Sequence, residues 1–489
     1  MNTRVVTRLV SSFGHSHLRS FIPVLLLTCG VAITSPQATM QDGPVVKREL
    51  KVLHLAGSGY ERGVQHGRQL SSEIAALVGL WKDDLRKEAK TDPDSLIRSF
   101  LGETNFMPSI KKWTPDLLDE VRGIADGAGQ PFETIFAFQL VDELWVFMDK
   151  GAVDRCTSMG VARHGAHPAY VAQNMDLESF RDGFQLILHI AGTESIPEQF
   201  VFTSAGLIGV NGVNNRSIAI TCNTLMQLSA SSDGLPVAFI VRGLLAQTTG
   251  EDAVKFVNTV KHASGQNYIV GAGDRVYDFE ASAGQVVEFR PVADGSIVYH
   301  TNHPLVNEDL KPWHLQRIQS QTAEQGSAGN SETRLASIQK RLQRPASTID
   351  DEVIKEALRS KDSERHPICR TLKEGTGTFT FGATIMTLSG TPSLQVTMGP
   401  PDVNPFVRLE FSAWLRQQDR ARGKLHDAHG GTRGLMRAEL AEAGSLPLCR
   451  SPRGRNYSPD VNRKEDSMSG TVNRHLVKIG ISDTLISVQ

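Results

Sequence analysis

The chain has 489 residues, of which 40% are hydrophobic, 6% aromatic and 21% charged, with 43 glycines and 22 prolines. That balance is globular and excludes a collagen-like, wholly disordered or many-span membrane protein. Lys and Arg total 52 against 53 Asp and Glu, a formal charge of −1, which argues against function by broad phosphate neutralisation. The charge is unevenly placed, because residues 412–489 hold 13 Lys and Arg against 8 Asp and Glu, leaving the rest of the chain net acidic. Five cysteines in so long a chain make no disulfide framework, and no C-x-x-C pair occurs.

The first element in chain order is a leader. Arg4, Arg8 and Arg19 precede the apolar run Phe21 to Ile33, which is followed by small and turn-forming residues. This is the layout of a secretory signal spanning residues 1–38, with a cut after Ala38. The apolar run is shorter than the roughly 20 residues a membrane span needs. Export to a periplasmic or extracellular space is expected, with anchoring by an uncleaved leader as the alternative.

Residues 39–155 read as a helical part. Ile74, Leu77, Val78, Trp81 and Leu85 recur at helical spacing. Thr114 and Pro115 supply an N-cap and a first-turn proline before Leu117, Leu118, Val121 and Ile124. From Cys156 to about residue 411 the chain reads as strands, among them TSMGVAR, AYVAQNM, FQLILHI, SIAITCN and FTFGATIM. Helical stretches interrupt them at Pro236–Ala246, Glu251–Lys261, 333–342 and 350–359. Grouped strands with helices outside them predict an α+β fold rather than regular βαβ alternation. Residues 412–489 are rich in Gly, Ser, Arg and Asn, with one short helical pattern at Leu435–Ala443, and read as a disordered basic tail.

Several chemistries are missing: no G-x-S-x-G elbow, no phosphate loop and no H-E-x-x-H helix occurs. Gly271 and Gly273 lead into a strand, so no helix N-terminus follows to hold a pyrophosphate. His164 and His167 flank Gly165 and precede Pro168, which reads as a turn between two strands rather than a metal pair. No metal and no cofactor is expected.

The informative stretch is residues 154–180. Cys156 stands where helical sequence gives way to strands, and a second strand carries Asn174 and Asp176 at i, i+2, on one face. If the two strands pair through the HGAHPA turn, Asp176 returns beside Cys156. Taken alone, the bland alternatives are a buried small hydrophobe for Cys156 and turn-forming roles for the polar pair.

Further segments in order carry a resemblance: GSGYERGVQHGRQL at 57–70, VRGIADGAG at 121–129, VDEL at 141–144, RCTS at 155–158, AQNMD at 172–176, SAGLIGVNGVNN at 204–215, CNTL at 222–225, HTNH at 300–303 and HPICR at 366–370. Over roughly residues 50–411 the chain resembles the N-terminal-nucleophile amidohydrolases related to acyl-coenzyme A:6-aminopenicillanate acyltransferase. The resemblance implies a four-layer α-β-β-α sandwich and a precursor that cuts itself between Arg155 and Cys156. It also implies association of the two fragments and Cys156 as catalytic nucleophile. The freed α-amine, with a reference pKa of about 7.7–8.0, would serve as base for its own side chain. Asp176 would hold that amine and Asn223 would donate to the oxyanion. Asn174, Glu280 and Asn302 are grouped as substrate-binding; for Asn174, Asn223 and Glu280 a purely structural role is the alternative.

The expected reaction is cleavage of a small-molecule N-acyl amide, with acyl transfer second. No nucleic-acid partner and no integral membrane domain is expected. The rival readings are a secreted binding protein that keeps the fold without the chemistry, and a cysteine hydrolase that never cuts itself.

Overall fold

The computed structural model describes residues 48–151, 156–320, 329–372 and 377–411. The leader, Arg155, the helical pattern at Leu435–Ala443 and the basic tail lie outside the described residues.

Strand β1 (Val52–Leu55) leads into seven helices: α1 (Gly59–Gln69), α2 (Ser71–Ala89), α3 (Pro93–Glu103), α4 (Met107–Trp113), α5 (Pro115–Ala128), α6 (Phe132–Phe138) and α7 (Val141–Phe147). Six strands follow: β2 (Thr157–Val161), β3 (Tyr170–Glu178), β4 (Gln185–Ile190), β5 (Gln199–Ser204), β6 (Asn211–Asn214) and β7 (Ile218–Thr224). Helices α8 (Val237–Leu245) and α9 (Gly250–Thr259) precede β8 (Gln266–Ala272), β9 (Arg275–Ala281), β10 (Val286–Glu288) and β11 (Ile297–His300). Then come α10 (Pro312–Ser320), α11 (Asn330–Leu342), α12 (Asp351–Leu358), β12 (Thr378–Thr387), β13 (Ser393–Val396) and β14 (Val407–Glu410).

The strands make two sheets, ordered β1-β4-β5-β6-β7-β8-β9-β10 and β11-β2-β3-β12-β13-β14. Strand alternation builds the layers. In β4, Leu186 and Leu188 face α1–α9, where they join Ile74, Trp81, Phe138 and Phe239, while Ile187 faces the other sheet. Across that second layer Phe200, Phe202 and Ile269 meet Val171, Phe379 and Phe381. The far face of the six-stranded sheet, with Ala172 and Ile385, packs on Ile338, Leu342, Ile354 and Leu358 of α11 and α12. The order is therefore helix, sheet, sheet, helix, as expected. Each buried Leu, Ile or Phe contributes about 1.5–3 kcal/mol.

One strand interrupts the helical reading of the N-terminal part: β1 runs parallel to β4, pairing Val52 with Ile187 and Leu55 with Ile190. The GSGYERG segment that follows has a packing reason. Ser58 and Glu61 form a capping box, and Gly59, Gly63 and Gly67 line the α1 face that meets α5. A Cβ on Gly63 would lie 2.0 Å from the Glu120 carbonyl oxygen, and one on Gly123 would lie 2.2 Å from that of Tyr60. Contact that close requires glycine on both helices. Beside it, the buried Glu120 carboxylate receives Arg62 Nε at 2.9 Å and Arg242 Nη1 at 2.7 Å.

Candidate active site

The site begins with the β2–β3 hairpin. Gly165, at φ 59°, and the mutual backbone bonds of His164 and His167 close its turn, so these histidines shape a hairpin. The register pairs Thr157 with Asn174 and Val161 with Tyr170. One more step along that register sets Cys156 across from Met175, and their sulfurs lie 3.3 Å apart. Asp176 is the next residue. The conditional expectation that the hairpin brings the thiol and this carboxylate together is met: both line one cavity of about 90 Å³.

Asp176 is fully buried. Its Oδ1 accepts from Thr380 Oγ1 at 2.7 Å, and its Oδ2 faces Arg370 Nε at 3.1 Å. A register shift in β12 between Thr380 and Gly382 leaves Phe381 as an extra residue opposite this point.

The backbone of Cys156 is gripped from two sides. Its N–H donates to Asn302 Oδ1 at 2.8 Å, and its carbonyl accepts from Arg334 Nη1. Arg334, 0% exposed, also donates to Thr157 Oγ1 and, through Nη2, to Asn302 Oδ1, each at 2.9 Å. Its Nε reaches Asn330 Oδ1 at 2.8 Å, and the same oxygen accepts from Arg370 Nη2 at 2.7 Å. A continuous polar path thus runs from Asp176 through Arg370, Asn330, Arg334 and Asn302 to the Cys156 nitrogen. On this path Asp176 and Arg370 form a charge pair, and the buried Arg334 guanidinium is met by neutral oxygen acceptors.

The other expected site residues sit outside the cavity wall. Asn223 faces the layer between the sheets, with Oδ1 accepting from Ser158 Oγ at 2.7 Å and Gln173 Nε2 at 2.9 Å, and Nδ2 donating to Asn267 Oδ1 at 3.2 Å. Its neighbours Cys222 and Thr224 line the cavity instead. Asn174 Nδ2 donates to the carbonyls of Leu358 at 2.8 Å and Ile368 at 3.0 Å, tying β3 to the outer helical layer. Glu280 accepts from the backbone N–H groups of Leu305, Val306 and Asn307 and pairs with His300 Nε2 at 2.8 Å. Burial works against the Glu280 carboxylate, yet the His300 bond and charge and those N–H groups hold it below its ordinary pKa. It fixes the loop after Asn302 and so acts on that residue's position.

Cys222 lines the same cavity as Cys156. Burial pushes its thiol well above the ordinary value, with Asp142 and Cys156 adding to the effect. Its Sγ lies 3.4 Å from the Val210 carbonyl oxygen. Among the described residues no group of three or more His, Cys, Asp or Glu is arranged to hold a metal ion, and no helix is long and apolar enough to cross a membrane.

A family model described as acyl-coenzyme A:6-aminopenicillanic acid acyl-transferase matches residues 164–398. The match spans just under half of the chain, and over those residues the chain resembles this family. The 40 kDa form of the acyl-coenzyme A:6-aminopenicillanic-acid-acyltransferase of Emericella nidulans is 26% identical over 339 residues, covering 66% of this chain and 86% of that protein. Two solved structures also overlay. The Caenorhabditis elegans N-acylethanolamine-hydrolyzing acid amidase ortholog has a TM-score of 0.33 and 17% identity, covering 47% of this chain and 92% of its own. Penicillin V acylase from Agrobacterium tumefaciens has a TM-score of 0.34 and 14% identity, covering 52% and 86%. The matches to this family model and to the E. nidulans acyltransferase support an enzyme. The segment matched to the acyltransferase family starts after Cys156, so the role of that thiol rests on the geometry above.

Sequence reasoning passed over Arg334 and gave Arg370 no role within HPICR. A signal for Arg334 exists: it shares a stripe with Ser331, Ile338 and Leu342, all buried on α11, and a charge on the apolar stripe of a helix marks a buried partner.

Proposed function

We propose that the chain is a cysteine amidohydrolase that cuts itself before Cys156 and then cleaves an N-acyl amide through an acyl-enzyme on that residue. The observation that carries this reading is the grip on the Cys156 backbone: its nitrogen, rather than a histidine ring, is the group positioned beside the thiol by Asn302 and Arg334.

In the precursor, Sγ attacks the carbonyl before Cys156 and the peptide nitrogen leaves as the α-amine, taking up the thiol proton; water then hydrolyses the thioester, which releases the upstream fragment as a carboxylic acid and restores the thiol. Arg334, in contact with the Cys156 carbonyl, disfavours protonation of that amine, which keeps it available as a base. In turnover the amine takes the thiol proton as sulfur bonds the substrate carbonyl carbon. The C–N bond then breaks and the leaving amine receives that proton. Water attacks the thioester, giving up a proton to the α-amine, and the acid leaves as the thiol is restored. Asp176 orients the amine end of the site. For Asn223 to serve as oxyanion donor its Nδ2 exchanges Asn267, its 3.2 Å partner, for the substrate oxygen; one such donor is worth about 3–4 kcal/mol.

Hydrolysis is favoured over transfer because water is always present. The acyl transfer named for the E. nidulans relative fits the same half-reaction, acylation of a nucleophile. Contacts across the cut would hold the fragments together: Glu120 with Arg242, Glu143 with Ser264 at 2.7 Å, and Asp142 with Thr224 at 2.7 Å. Intact mass and N-terminal sequencing of the purified protein test the processing step. Two co-eluting fragments, the second beginning at Cys156, are expected, with a single chain in Cys156→Ala. An uncut, inactive wild-type chain would favour the binding-protein reading, and an uncut, active one a hydrolase without self-processing.

A further inference from the structure

We infer that Arg181 selects an uncharged oxygen on the substrate's acyl group, so that the acyl part is an apolar chain or ring system bearing an ether, keto or hydroxyl oxygen. This deepens, and rests on, the reading of Cys156 as the acylated nucleophile.

The cavity around Cys156 is walled largely by apolar side chains, among them Phe138, Val141, Trp145, Leu177, Val210 and Val241. A plain hydrocarbon would satisfy that wall. Arg181 interrupts it. It sits on the single turn Ser179–Arg181 that follows β3, is 2% exposed, and lines the same cavity. Its Nε donates to Glu178 Oε2 at 2.8 Å, and its guanidinium lies 5.3 Å from the ring centres of both Phe138 and Phe180. Its Nη1 is buried without a hydrogen-bond partner among the described residues. A buried charged donor left unmet is costly, and a ligand oxygen removes that cost on binding.

Glu178 sets the charge of the ligand. It already neutralises the guanidinium, and Asp142 and Asp176 line the same cavity, so a substrate carboxylate would enter among three acidic side chains. An uncharged oxygen accepts the Nη1 proton without adding an anion.

The test uses the purified, processed protein and N-acyl amides of one leaving amine: straight alkanoyl compounds, isosteres with one ether oxygen at successive positions, and an ω-carboxylate. At least one oxygen position is expected to raise kcat/KM about tenfold over its alkyl parent, with the ω-carboxylate below that parent. In Arg181→Met the oxygen preference is expected to collapse to within about twofold, whatever the absolute rate. If that variant does not fold, the wild-type series decides alone. Turnover of alkyl compounds as efficient as of every oxygen-bearing one, or a best rate with the ω-carboxylate, overturns the assignment while leaving the Cys156 reading in place. No turnover of any amide overturns both.

Discussion

At the residue scale, the site joins groups whose protonation is set by burial. Glu143 is one such case outside the polar path to Cys156. Its Oε1 accepts from Ser264 Oγ at 2.7 Å and from the Val237 N–H at 3.1 Å, while burial, with Asp142 adding, pushes the carboxyl from 4.5 up to about 7. A folded pKa above the unfolded one means that, as pH rises from about 4.5 to about 7, the unfolded state ionises first and stability falls; above about 7 the loss is complete. Glu143→Gln keeps an acceptor for Ser264 and the Val237 N–H but cannot ionise. Thermal unfolding is expected to show the variant more stable than wild type by about 2–4 °C at pH 8 and no more stable at pH 4. Residue roles were unevenly legible. Cys156 and Asp176 could be read because one hairpin register decides their meeting. Arg334 reaches Cys156 from 178 residues away and no local pattern states that distance.

At the element scale, the long strands and amphipathic helices were legible because burial on one face writes a period into the sequence. Helices α8, α9, α11 and α12 fall within a few residues of the stretches expected for them. The misses are β1, β6, β11 and α10, each too short or too mixed to carry a period: β6 is NGVN, and α10 has no buried residue. The α1–α5 contact was visible only as a motif, and its reason is steric. Gly63→Ala is expected to cost about 1–3 kcal/mol or more, because its Cβ would press on backbone that cannot move without shifting α5. Gly79→Ala, on exposed α2 surface with nothing within 4 Å, is expected to stabilise by about 0.5–1 kcal/mol. Denaturant melts of the two variants check the opposite signs.

At the scale of the whole molecule, the proposed cut at Cys156 divides the chain without dividing its core. Trp81 and Phe138 from before the cut pack with Leu186, Phe239 and Val270 from after it, and β1 completes the edge of a sheet otherwise built from later residues. Such an interlock explains how a chain could be severed beside its active site and keep its shape. The sandwich itself was legible only through the resemblance, since grouped strands and helices fit many α+β arrangements. The most direct test of the account is the mass of the fragments after brief exposure to a slowly deacylating substrate. One acyl group is expected on the fragment that begins at Cys156, localised by peptide mapping to Cys156 itself. An acyl group on Cys222, which shares the cavity, or an unmodified protein that still turns the amide over, would contradict it.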